Sequence, residues 1–104
     1  MNSSDMKPSC IRAAADILGS KWTALIIHEL SSGPQRFCAI ERAVDDINPR
    51  TLTQRLEMLQ SHDIITQFDS SYELTDKGRD LLPILEDMAT WSAHYPPTHH
   101  LTTQ

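Results

Sequence analysis

Asn48-Pro49-Arg50-Thr51-Leu52-Thr53-Gln54-Arg55-Leu56-Glu57-Met58-Leu59-Gln60-Ser61 is the run on which the rest of the chain turns. Asn48 is a favoured N-cap, and Pro49 suits the first helical position, where its missing N–H would have had no partner. A helix therefore starts here. Leu52, Leu56 and Leu59 fall at i, i+4 and i+7 and form one narrow apolar stripe, while Arg50, Thr51, Thr53, Gln54 and Arg55 crowd the first turns away from its centre. Such a helix is held by one side and offers guanidinium, amide and hydroxyl groups on the other. These are groups that bond phosphate oxygens and base edges.

Outward from this helix the elements fall into order. Upstream, Phe37, Ile40 and Val44 mark a short helix, reached from Gly33-Pro34, which stops the helix before it. That earlier helix, Lys21 to Ser32, is capped by Ser20 and buries Trp22, Leu25, Ile26 and Leu30, with Ile27 widening the stripe. A first helix, capped by Ser9, repeats Ile11, Ala14, Ala15 and Leu18 at helical spacing and closes at Gly19 in a left-handed conformation. Downstream, Ile64 to Phe68 and Tyr72 to Leu74 read as two strands around the turn Asp69-Ser70-Ser71. Thr75 then caps a last helix over 76–94, striped by Leu81, Leu85 and Met88, broadened by Leu82, Ala89 and Trp91, and bent locally at Pro83. Gly78 marks a tight approach of that helix to the hairpin. Two short helices joined by a tight turn and followed by a hairpin outline a winged helix-turn-helix, mainly α with a small β-hairpin. The expected division is a flexible arm at 1–8, one domain over 9–95 and a tail over 96–104.

The chain has 104 residues, enough for one domain, and an apolar fraction of 39%, low enough that a second copy is expected to complete part of the core. No run is apolar enough for a membrane span and the polar start MNSSDMKPS is not a signal peptide, so a cytoplasmic location is expected. The net charge of −5 is unevenly spread. Residues 1–55 carry seven basic against six acidic side chains, and residues 56–104 only Lys77 and Arg79 against eight acids. A basic surface must come from the first half. Two cysteines without a C-x-x-C are no disulfide framework, and His94, His99 and His100 show no metal-ligand spacing. A phosphate-binding glycine loop and a nucleophile elbow are both missing, so neither an enzyme nor a cofactor is expected.

Several local sequences then combine in one order: Cys10 ahead of the first helix, Leu18-Gly19-Ser20-Lys21-Trp22-Thr23, Gly33-Pro34-Gln35-Arg36-Phe37, Ile47 to Leu56, Tyr72-Glu73-Leu74-Thr75-Asp76-Lys77-Gly78, and Leu82-Pro83. In this order the chain resembles the HxlR family of bacterial winged helix-turn-helix transcriptional regulators over nearly its whole length. The resemblance implies a homodimer on a pseudo-palindromic operator, with dimer contacts from the first and last helices. Three features depart from the family pattern. Ile11-Arg12 follows the first cysteine in place of a Pro-Val-like pair, the wing between Phe68 and Tyr72 is short and lacks Lys and Arg, and the chain is acidic.

The expected DNA-facing set is Pro49, Arg50, Thr51, Thr53, Gln54 and Arg55, with Arg50 and Gln54 reading bases and the others holding phosphates. Lys21 at a helix start and Arg36 ahead of the third helix add positive charge. Arg55 flanks the apolar stripe and has the alternative of packing or pairing with an acid; for the whole face the bland alternative is a solvated surface. Trp22 reads as a core or dimer-interface residue. Cys10, near the positive end of the first helix and close to Lys7 and Arg12, is the candidate sensor of a small electrophile or oxidant. Several members of the family sense oxidants, quinones or aldehydes through a cysteine in this place, so the resemblance implies the same. An inert, partly buried Cys10 is the competing reading, and Cys38 is a resolving partner only where a dimer brings it near. The overall expectation is a repressor on double-stranded DNA. The competing classes are a protein-interaction module on the same fold and a small-molecule-responsive regulator with a pocket beneath the last helix.

Overall fold

The computed structural model describes residues 7–44 and 46–95. In chain order it contains α1 (Pro8–Leu18), α2 (Lys21–Glu29), a 3-10 turn (Leu30–Ser32), β1 (Gln35–Arg36), α3 (Phe37–Ala43), α4 (Pro49–Ser61), β2 (Ile65–Phe68), β3 (Ser71–Leu74), α5 (Asp76–Arg79) and α6 (Leu82–His94). The strands form a three-stranded antiparallel sheet in the order β1-β3-β2. Helix-turn-helix (α3, α4) and wing (β2, β3) follow one another as the sequence predicts.

One apolar cluster holds these elements. Ile26, Ile27 and Leu30 come from α2 and its 3-10 extension, Ile40 and Val44 from α3 and its end, Leu52, Leu56 and Leu59 from α4, and Ile64, Ile65 and Leu74 from the wing. All three α4 leucines are buried, so the expected stripe is the one that seats the helix. Truncating one of them to alanine would cost ~2–5 kcal/mol.

Several local expectations change. The first helix begins at Pro8, with Lys7 at the N-cap and no side-chain cap, so Ser9 lies inside the helix. Gly19 is right-handed, at φ −76°. Its lack of a side chain matters instead because a Cβ there would run into the Ala15 carbonyl oxygen. Gly33 does need its freedom: at φ 137° and ψ −179° it turns the chain from the 3-10 turn into β1, a conformation open essentially to glycine alone. Leu25, expected in the α2 stripe, is 45% exposed. The hairpin closes through the two residues Asp69 and Ser70, both at positive φ (53° and 70°), with Phe68 paired to Ser71. These angles fit a type I′ turn, whose twist matches the flanking strands.

The single helix expected over 76–94 is two helices. α5 ends at Arg79 and α6 starts at Leu82, with Pro83 in its first turn. Proline lacks the N–H that a helix interior requires but suits a first turn, so the chain restarts there rather than bending through. Met88, expected on the buried stripe, faces out. Leu82, Leu85 and Ala89 line a shallow cleft with His28 and Ser31 of the α2 segment, whereas Ile84, Met88 and Trp91 lie on the opposite side of α6. Neither α1 nor α6 contains a buried residue. The expected tail at 96–104 and most of the expected arm at 1–8 lie outside the described residues.

Candidate nucleic-acid interface

α4 is fixed at both ends. At its start, the Thr51 N–H donates to Asn48 Oδ1 at 2.8 Å, the cap expected from the sequence. At its finish, Ile64 N–H donates to Leu59 O at 2.9 Å and Asp63 N–H to Gln60 O at 3.0 Å, while Asp63 sits at φ 63°. This is a Schellman motif with aspartate in the left-handed position that glycine usually holds. A helix closed in this way presents a defined face.

With Leu52, Leu56 and Leu59 turned inward, Arg50, Thr53 and Gln54 stand exposed at the N-terminal half of the opposite face. Pro49 is exposed beside them, and Glu57 and Ser61 continue the face toward the C-terminal end. Thr51 and Arg55 are half-buried on one flank. Arg55 Nε is buried without a hydrogen-bond partner, so this guanidinium lies partly against the body of the domain and is less free than that of Arg50. The arrangement matches the packing alternative raised for Arg55. It concentrates the free polar groups on Arg50, Thr53 and Gln54, a guanidinium, a hydroxyl and a carboxamide within one and a half helical turns.

The other two basic candidates are on different elements. Lys21 opens α2 and holds its ammonium 4.5 Å from the centre of the Trp22 ring. Ser20 Oγ accepts from the Trp22 N–H at 3.2 Å and caps the same helix. Arg36 lies on β1, a strand the sequence does not reveal, and this strand makes Arg36 part of the wing. Arg36 pairs with Ser71, which in turn pairs with Phe68. Paired residues of an antiparallel sheet project to one face, so a guanidinium and a phenyl ring share that face. Phe68 is 77% exposed and was not singled out from the sequence. Pro34, Asp69 and Glu73 complete the shallow depression around them.

Cys10 is the third residue of α1 and Cys38 the second of α3; both are exposed free thiols. Cys10 is thus not the partly buried residue of the inert reading. Among the described residues no three His, Cys, Asp or Glu side chains gather as a metal site would require, and His99 and His100 lie outside them. No described helix is long and apolar enough to cross a membrane.

A capped helix with a polar N-terminal face, preceded by a short helix and followed by a twisted hairpin, defines a winged helix-turn-helix protein. The model of the HxlR-like helix-turn-helix family matches residues 17–100, and the chain belongs to that family of DNA-binding transcriptional regulators. It is 37% identical over 102 residues to the HTH-type transcriptional regulator YvaP of Bacillus subtilis, covering 91% of this chain and 94% of the relative. Among solved structures, quinone-bound YodB of B. subtilis superposes with a TM-score of 0.80 at 32% identity, over 84% of this chain and 99% of that one. The redox regulator HypR in its oxidised form gives 0.75 at 26% identity, over 85% and 98%. Its relatives are regulators rather than enzymes.

Proposed function

We propose that this chain is a homodimeric repressor that binds a pseudo-palindromic DNA operator through the N-terminal half of α4 and is released by oxidants or electrophiles that modify Cys10. The observation carrying the reading is the exposure of Arg50, Thr53 and Gln54 together on a helix held by three buried leucines. In a major groove, Arg50 would pair with guanine and Gln54 with adenine, while Thr53, Pro49 and the flanking Thr51 would sit along the backbone. Arg55 keeps one edge for a phosphate and uses the other to brace the helix, and Lys21 and Arg36 add contacts outside α4. Repression then follows by exclusion, because α4 helices from two copies about 34 Å apart occupy successive grooves on one side of the duplex. Such a regulator works on chromosomal DNA in the cytoplasm.

Dimerisation is supported by the two apolar sides of α6. Leu82 and Leu85 pack toward the core, yet Ile84, Met88 and Trp91 remain in water with Tyr95 one turn beyond. An exposed apolar stripe on a helix already packed on its other side calls for a second partner. Ile11 on α1 and Leu25 on α2 are exposed as well. The Cys10 reading rests on its exposure near the start of α1 and on similarity to YodB, solved with a quinone, and to the redox regulator HypR.

The test is a gel-shift comparison of wild type with Arg50→Ala/Gln54→Ala on duplexes enriched by wild type from a random-sequence library. Specific binding should vanish, with thermal unfolding unchanged, since both side chains are exposed. Equal binding by the two proteins would remove α4 as the reading element.

A further inference from the structure

The C-terminal end of α4 is bound to the segment that leads into α6. Thr75 N–H donates to Ile64 O at 3.0 Å. The Thr75 hydroxyl lies 2.7 Å from Asp63 O and 3.0 Å from Ile64 O, sharing its proton between them. Lys77 Nζ donates to His62 O at 2.8 Å. His62, Asp63 and Ile64 are the residues at and just beyond the end of α4, so two side chains of one short segment engage three successive carbonyls there. Helix ends leave such carbonyls without internal partners, and a cation is favoured beside them because the helix dipole is negative at this end.

The attachment is close as well as polar. Gly78 is buried, and a Cβ on it would collide with the Ile64 carbonyl oxygen. Its N–H donates to Thr75 Oγ1 at 3.0 Å, so the hydroxyl that grips α4 also caps α5. From α5 the backbone bonds continue without a loose joint: Arg79 N–H to Thr75 O (2.8 Å), Asp80 N–H to Asp76 O (3.1 Å), Leu81 N–H to Gly78 O (3.0 Å) and Leu85 N–H to Leu81 O (3.0 Å). The end of α4 and the start of α6 therefore form one hydrogen-bonded unit.

We infer that Lys77, with Thr75, is a positioning residue for DNA recognition: it fixes the tilt of α4 relative to α6 and so sets the separation of half-sites that a dimer accepts. The inference rests on the proposed operator binding by two copies joined through α6. Lys77 acts through the His62 carbonyl and not on phosphate, which separates it from Arg36 and Arg50. Its side chain is exposed, so removing it leaves the apolar core untouched.

The experiment uses the full chain and palindromic duplexes enriched by wild type from a random library, rebuilt with the half-sites one base pair closer and one base pair farther apart. Affinities of wild type, Lys77→Met and Lys77→Arg are measured on all three spacings across a salt series. Wild type should prefer the original spacing. Lys77→Met should lose about two- to fivefold of that preference, the equilibrium equivalent of one charge at a helix end, and Lys77→Arg should keep it. The salt slope should not move, and the unfolding midpoint should fall by no more than about 8 °C, as loss of one charge at a helix end requires. A uniform loss on every spacing, a slope smaller by about one, which would mark a phosphate contact, or no change at all would overturn the inference. Failure of wild type to enrich any sequence would instead overturn the operator reading, and this inference with it.

Discussion

Arg36 stands directly across β3 from Phe68, the two flanking Ser71 in a single cross-strand row. The hairpin has no basic residue and bears Asp69 at its tip, so its own sequence supplies no cation for a minor-groove contact. β1 changes this by delivering a guanidinium from before the third helix onto the outer face of the wing. That cation is opposed by Asp69 and Glu73 around the same depression, so its contact is one of balance. Arg36→Ala should weaken binding to specific and random duplexes by similar factors and lower the slope of log affinity against log salt by about one. Filter binding over a salt series measures both. A loss confined to the specific duplex would make Arg36 a base reader, and an unchanged slope would take it off the DNA.

The outer stripe of α6 makes a second prediction. Ile84, Met88, Trp91 and Tyr95 follow helical spacing, and the Trp91 and Tyr95 rings lie 5.6 Å apart. Met88→Glu/Trp91→Glu would place two carboxylates where a second copy is expected to pack, while the core, to which these side chains do not contribute, stays intact. Sedimentation equilibrium should then give a folded monomer for the variant and a dimer for wild type. Operator affinity should fall about a hundredfold or more, since each half-site is then bound without the effective concentration supplied by the other. A variant that remains dimeric would move the interface elsewhere.

What the sequence discloses and what it conceals divide along the range of the interactions involved. Asn48, Pro49 and the three leucines of α4 act within the helix or on one neighbouring surface, and both the cap and the burial follow from spacing alone. Ser20 and Thr75 are legible for the same reason. β1 is two residues long, too short for any periodicity, and exists because β3 offers it an edge. The division of the last helix turns on Pro83, whose ring permits either a kink or a fresh start; packing of Gly78 against Ile64 and of Leu82 toward the core selects the start. Arg55 illustrates the limit at the site itself. Its position about 40° to 100° around the helix from the three leucines puts it on a boundary, about equally compatible with solvent and core, and only the surrounding fold decides that its Nε is enclosed.

Cys10 supplies the last prediction. It lies in the first turn of a helix that buries none of its residues, on the element that the proposed dimer would use, next to the exposed Ile11. A group added to its Sγ would grow outward into the space between copies rather than into a core. Alkylation by N-ethylmaleimide adds bulk by conjugate addition: the S–H bond and the π bond of the ring C=C break, a C–S bond forms at one of its carbons and the proton passes to the other, so no oxidant is needed. Full alkylation of Cys10 should reduce operator affinity by about tenfold or more, a loss of ~1.4 kcal/mol or above. Cys10→Ser should keep its affinity through the same treatment, and Cys38→Ser should respond as wild type does. Mass spectrometry establishes the extent of modification, and a gel shift reads the affinity. Complete alkylation at Cys10 with undiminished binding would end the sensor reading while leaving the DNA-binding one standing. Loss of binding in Cys10→Ser but not in Cys38→Ser would shift the role to Cys38, at the start of the helix that packs before α4.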